Sequence, residues 1–213
     1  PWDNNTSELD DAHVDVQANQ SAITVNDMEF TMDGGWVHNT GSGGGLLFNL
    51  WSGKQDEIDH VEVDSAGSFG LQTNGGKVHI VESQIRSHGD NDPGLDAQSG
   101  GQVELVDGSV TTDGDNSAAV RAHNNGGAQI SGSTLATQGE HSAGVLLDNN
   151  GTLLLDSSQV TTVGDDSAAI QASNGASLQV SGATLETSGQ GSHGVHVSSN
   201  GADNTLADSS ITT

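Results

Sequence analysis

Residues 110–134 read VTTDGDNSAAVRAHNNGGAQISGST, and residues 135–159 read LATQGEHSAGVLLDNNGTLLLDSSQ. Laid one over the other, the two lines put Val110 on Leu135, Thr112 on Thr137, Gly114 on Gly139, Val120 on Val145 and Asn124 on Asn149. Inward-type residues alternate with others in short pairs, Val110 and Thr112, Val120 and Ala122, Ala128 and Ile130, a period of two that indicates three strands in each unit. Between them lie Gly-Asp-Asn-Ser at 114–117, Asn-Asn-Gly at 124–126 and Ser-Gly-Ser at 131–133, residues that favour turns and tolerate positive φ.

The same spacing runs outward from this pair. Ile85, Val110, Leu135, Val160 and Leu185 follow one another at a constant interval, and after one inserted residue Ile211 resumes the series. Two places on stand Ser87, Thr112, Thr137, Thr162 and Thr187, and two further on stand Gly89, Gly114, Gly139, Gly164 and Gly189. One such coil cannot bury its apolar side alone, but coils stacked about 4.8 Å apart bond strand to strand and share a core. The expected fold is therefore all-β, a right-handed parallel β-helix (solenoid) with 25-residue, three-strand rungs; crossovers between parallel strands take the right hand. Upstream, Val61–Gln84 reads as a rung shorter by one residue, with Gly70 where Gly94 stands later. Residues 1–60 fit poorly and hold Trp2, Trp36, Trp51, Met28, Met32, Phe30 and Phe48. They are expected to form irregular N-terminal rungs, a cap with an insertion around Gly41 to Ile58. The regular helix covers 61–213, and because Ile211-Thr212-Thr213 opens another rung it reads as truncated at its C-terminal end.

Composition agrees with an elongated array. Only 31% of the 213 residues are hydrophobic, too few for a compact two-layer globule but enough for a narrow core drawn out along an axis. Lys and Arg number 4 against 29 Asp and Glu, a formal charge of −25 that repels nucleic acid, sulfated glycans and anionic lipid. With no Cys there is no disulfide framework and no Cys-based zinc site.

A β-helical polysaccharide-degrading enzyme is the first chemistry to weigh. Such enzymes need a Ca²⁺-binding carboxylate cluster with a basic residue, or several Asp with His and an Arg-x-Lys element. Arg86 and Arg121 stand alone and Arg-x-Lys is absent, so no catalytic residue is assigned and no enzyme is expected. His88, His123, His141, His193 and His196 fall at different places of the rung and read as solvated surface rather than zinc ligands. The column Asp90, Asp115, Glu140 and Asp165 stacks like charges about 4.8 Å apart and is the one place where weak Ca²⁺ binding is expected. No other cofactor is implied. Asp115, Asn116, Asn124, Asn125, Glu140, Asn149, Asn150, Asp165, Asp166 and Asn174 make an outward polar lattice, a candidate adhesion surface. Leu146 and Leu154 are outward apolar residues within it, and no Trp or Tyr follows residue 60 to stack on a sugar.

The stretches Gly114 to Val120, Gly139 to Val145 and Gly164 to Ile170 resemble the G-x-x-S-x-G/A-V coils of pertactin-like passenger domains of self-associating bacterial autotransporters. The alternating segment Gly100 to Val110 is similar too, and the resemblance covers roughly residues 61–213. It implies Gram-negative export, a cell-surface location and attachment to the outer membrane through a C-terminal β-barrel outside this sequence. It also implies adhesion, through identical passengers on neighbouring cells in aggregation and biofilm, or through a host or matrix protein or glycan. An enzyme acting on polysaccharide and a purely structural stalk are the alternatives.

Overall fold

In the computed structural model, which describes residues 6–51, 53–198 and 203–213, the alternating segments close into stacked coils. β1 (Thr6–Val16) and β2 (Ile23–Asn26) make the first coil, β3 (Glu29–Asn39) and β4 (Leu46–Asn49) the second. Three strands per coil follow: β5 (Gln55–Asp59), β6 (Glu62–Ser65), β7 (Leu71–Asn74); β8 (Lys77–Val81), β9 (Gln84–Ser87), β10 (Leu95–Gln98); β11 (Gln102–Val106), β12 (Ser109–Thr112), β13 (Val120–Ala122). Next come β14 (Gly127–Ser131), β15 (Thr134–Thr137), β16 (Val145–Leu147); β17 (Thr152–Asp156), β18 (Gln159–Thr162), β19 (Ile170–Ser173); β20 (Ser177–Ser181), β21 (Thr184–Thr187), β22 (Val195–Ser198). β23 (Asn204–Ala207) and β24 (Ser210–Thr212) start another coil. Among the described residues every strand pairing is parallel, and each strand bonds to its equivalents one coil away. The molecule thus has three sheet faces: a first through β5, β8 and β11 to β23, a second through β6, β9 and β12 to β24, and a third from β2 through β13 to β22.

The expected columns are present. Ile85, Val110, Leu135, Val160, Leu185 and Ile211 stack on the second face, and Val120, Val145, Ile170 and Val195 on the third. Two expectations change. Val63, not Val61, stands under Ile85, because the first turn after β6 is two residues shorter than the later ones: Val63 to Leu71 spans 8 positions, Ile85 to Leu95 spans 10. Residues 6–51 and 53–59 stack in ladder register, and the stretch expected as an insertion, Gly41 to Ile58, supplies β4 and most of β5. Their repeat is hidden by unequal offsets, 23 from Thr6 to Glu29, 26 from Thr31 to Glu57 and 22 from Ile58 to Ile80. It is also hidden because β1 and β3 run through the corner between the first and second faces as single strands of 11 residues. The large apolar residues do not plug an end together. Phe30, Phe48 and Met32 lie in the core, Trp36 faces outward, Trp51 is 74% exposed, and Trp2 lies outside the described residues.

One backbone device turns that corner in every coil. Asp11, Gly34, His60, Glu82, Asp107, Gly132, Ser157, Gly182 and Asp208 all have φ between 43° and 70°, the left-handed region that bends the chain sharply. The residue after it points inward, and where it is Ser its hydroxyl finishes the corner: Ser133 Oγ accepts the Gly108 N–H and donates to Ser131 O. The G-x-x-S element has the same logic at the next turn. Ser142 Oγ, fully buried, accepts the Ser117 N–H of the coil before at 3.0 Å and donates to Gly114 O, while Thr137 Oγ1 donates to Ser142 O. The Gly column is steric, since a Cβ at Gly164 would stand 1.9 Å from Gly139 O.

One inward place breaks the apolar rule. Asp56 lies between Phe30 and Val78 in a core column and is 1% exposed. Its Oδ1 accepts the Phe30 N–H at 3.1 Å, and its Oδ2 has no partner. Burial pushes this carboxyl up to about 6, against the opposing pull of the Phe30 N–H and Lys54.

Candidate functional site

The ten residues of the expected polar lattice are all exposed, and the coil sorts them onto two edges of the third face. Asp115, Asn116, Glu140, Asp165 and Asp166 lie on the turns entering β13, β16 and β19; Asn124, Asn125, Asn149, Asn150 and Asn174 lie on the turns leaving them. Between the edges the strands present Arg121, Leu146 and Gln171 outward in one column. Leu146 is half-buried beside a groove of about 340 Å³ lined by Asn116, His141, Asp166 and Gln171. Leu154, by contrast, faces out from the first face and is not part of this surface.

The identity of the turn residues follows from backbone geometry. Asn124 and Asn125 have φ of 52° and 64°, Asn149 and Asn150 of 46° and 62°, and the Gly126 and Gly151 N–H groups close each turn onto His123 O and Asp148 O. Two successive left-handed residues with that closing bond form a type I′ turn, where Asn and Gly are the tolerated residues. The side-chain amides are free to reach along the stack, Asn149 Nδ2 donating to Asn124 Oδ1 and Asn150 Nδ2 to Asn125 Oδ1, each at 3.4 Å. Sequence reasoning missed a tighter amide ladder on the same face, Asn74 donating to Asn49 at 2.7 Å and Asn49 to Asn26 at 2.9 Å, because the upstream register was hidden.

The acid column is not a bare stack of carboxylates. Asp90 Oδ1 accepts the Asp115 N–H, Asp115 Oδ1 the Glu140 N–H and Asp165 Oδ1 the Gln190 N–H, at 2.8 to 2.9 Å. Each of these three side chains reaches up one coil to cap a turn amide instead of converging on a common point with its neighbours. Among the described residues, the one group of three side chains with all ligand atoms within 4.8 Å of one another is Asp33, Asp59 and His60, which includes none of the column. There His60 Nδ1 already lies 2.7 Å from Asp59 and its Nε2 3.1 Å from Glu82.

Most histidines are tied to acids of adjoining coils. His88 bridges Asp64 and Asp113 at 3.0 and 2.7 Å, His79 meets Glu104 at 3.0 Å, and His38 meets Asp15 at 3.2 Å. His141 lies 3.7 Å from Asp166 in the groove, while His193 packs against His196 with ring centroids 5.2 Å apart. The most buried charged cluster is one the sequence did not announce: Arg121 Nε and Nη2 donate to the two oxygens of Asp96 at 2.9 Å, and His123 Nε2 lies 3.2 Å away. Asp96 is 1% exposed; burial pushes its carboxyl up, but the neighbouring His123 and the paired Arg121 outweigh this and hold it below its ordinary value. Both oxygens are committed to Arg121, so the cluster serves to tie two coils together. Comparison with models of protein families and with curated proteins found no match.

Proposed function

We propose that this chain is an adhesive segment of a bacterial surface protein, an autotransporter passenger without enzymatic activity, that acts by lateral self-association of cells. The observation carrying this reading is the third face, where two exposed polar edges flank the outward strand column and repeat the same kinds of polar group at strand spacing. Such a lattice offers an identical molecule many individually weak hydrogen bonds in register, and display in many copies multiplies their effect. Leu146 and the groove beside it give the contact an apolar centre. The high negative charge keeps passengers apart until faces align or salt screens them.

Cells displaying the passenger test this against cells displaying the barrel alone. Leu146→Glu with Gln171→Glu changes outward strand side chains on the third face and leaves the turn caps intact. Loss of clumping at unchanged melting temperature is expected. The matching pair Gln129→Glu and Gln179→Glu on the first face is expected to clump normally. Equal clumping by the parent passenger and both variants would refute the assignment of the third face.

A further inference from the structure

The chain has four cationic side chains of Lys and Arg, and two of them meet in one place. A depression of about 260 Å³ at the edge where the third face turns into the first is lined by Gly53, Lys54, Gln55, Gly76, Lys77 and Gln102, with Gly100 at its rim. Among the described residues no carboxylate lines it, in a protein of net charge −25. Ladder register stacks Gln55, Lys77 and Gln102 one above another, so two amides flank an ammonium. The other cations are neutralised locally: Arg86 by Glu62, Arg121 by Asp96, and Lys77 itself by Glu104. Among the described residues Lys54 has no ion-pair partner within 4.0 Å. The glycines open the site, for a Cβ at Gly53 or Gly100 would find nothing within 4 Å. Lys54 N–H donates to Trp51 O at 3.1 Å, which keeps the two residues together, and Trp51 is the most exposed large hydrophobic side chain among the described residues at 74%.

From this juxtaposition we infer that the depression binds a carboxylate-bearing sugar. The Lys54 ammonium, which feels the buried Asp56 carboxyl but has no ion-pair partner within 4.0 Å among the described residues, can take one more negative charge. The amide donors of Gln55 and Gln102 suit hydroxyl and carboxylate oxygens, and the exposed indole of Trp51, whose backbone is bonded to that of Lys54, supplies a face for the apolar side of a pyranose ring. The surrounding charge sets the limit on the ligand: a polyanion is repelled over a Debye length, whereas a single acidic sugar meets only the local field. This inference does not rest on self-association, which uses the third face of later coils.

Titration of the 213-residue chain with methyl glucuronide, its methyl ester and methyl glucoside, followed by saturation-transfer NMR, decides the matter. Binding of the glucuronide in the millimolar range is expected, with the ester and glucoside about three- to fivefold weaker, the size of one exposed ion pair. Lys54→Gln should reduce glucuronide affinity by the same factor and leave the glucoside unchanged; Trp51→Ala should weaken both by up to about tenfold. Arg86→Gln removes an equal charge outside the depression and should change nothing. Equal affinity for glucuronide and glucoside in the parent protein would overturn the inference whatever the variants do, as would acetate or inorganic phosphate competing as well as the sugar.

Discussion

Replacing Asp56 by Asn should make this protein more stable at pH 8 and progressively less so, relative to the parent, as pH falls. The native carboxyl titrates at about 6 against an ordinary 3.8, so between these values the folded state holds a proton that the unfolded chain has released. Stability contributed by that proton is complete below 3.8 and is lost as pH rises through 6. At about 1.36 kcal/mol per pH unit the whole effect is ~3 kcal/mol, and the part recovered between pH 8 and pH 5 is ~1.4 kcal/mol. Asn keeps an acceptor for the Phe30 N–H and cannot ionise, at the cost of an amide N–H placed where Oδ2 now lacks a partner, about 1 kcal/mol. The expected outcome is a variant more stable by ~2 kcal/mol at pH 8, an advantage that shrinks by ~1.4 kcal/mol at pH 5. Urea unfolding followed by tryptophan emission measures it, because the three Trp of the chain, at positions 2, 36 and 51, report on its N-terminal part. A difference between variant and parent that stayed constant from pH 5 to pH 8 would refute the burial argument.

Gly164→Ala forces a methyl group against Gly139 O and should cost ~3 kcal/mol or more, seen as a large drop in melting temperature; an unchanged value would mean that the coil spacing does not depend on this contact. Arg121→Met strands the Asp96 carboxylate and should cost about 3 kcal/mol, most of it recovered by adding Asp96→Leu, in a double-mutant cycle at pH 7. Since the Asp96 carboxyl is held low, its contribution is present above 3.8 and fades as pH falls through its depressed folded value, so the cycle should weaken toward pH 3. Deleting residues 135–159 removes one whole coil and joins β14 to β18 in register, whereas deleting only the first half of that segment does not; circular dichroism and limited proteolysis should find only the first product folded.

Wherever the repeat is uniform, the sequence discloses the fold down to individual columns, because inward Val, Leu, Ile and Thr recur at fixed places and nothing competes with that signal. Upstream the same coils exist but their turns differ in length, so Val63 rather than Val61 sits beneath Ile85, and no count along the chain reveals it. The residues proposed to mediate adhesion are legible as outward turn residues. Their two-edge arrangement around one face was not, since it depends on which turns border which strands. Asp56 illustrates the limit more sharply: an alternating pattern assigns it an inward place, yet only the fold brings one oxygen to the Phe30 N–H and leaves the other alone. The cluster of Asp96 with Arg121 and His123, and the depression holding Lys54 and Lys77, join residues a coil apart, which spacing reveals only after the offsets of 24, 22 and 25 are known.

The near-uniform offset of the ladders has a further consequence, for folding. Each strand pairs with its counterpart in the next coil at a sequence offset that stays between 22, as from Ile58 to Ile80, and 26, as from Thr31 to Glu57. Docking a new coil therefore closes a loop of nearly the same length however long the stack has become. Loop-closure entropy grows only as the logarithm of loop length, and here that length does not grow at all. A solenoid of this kind avoids the slow search that long-range pairing imposes on ordinary parallel sheets, and adds coils at a constant entropic penalty per coil from whichever end is already ordered.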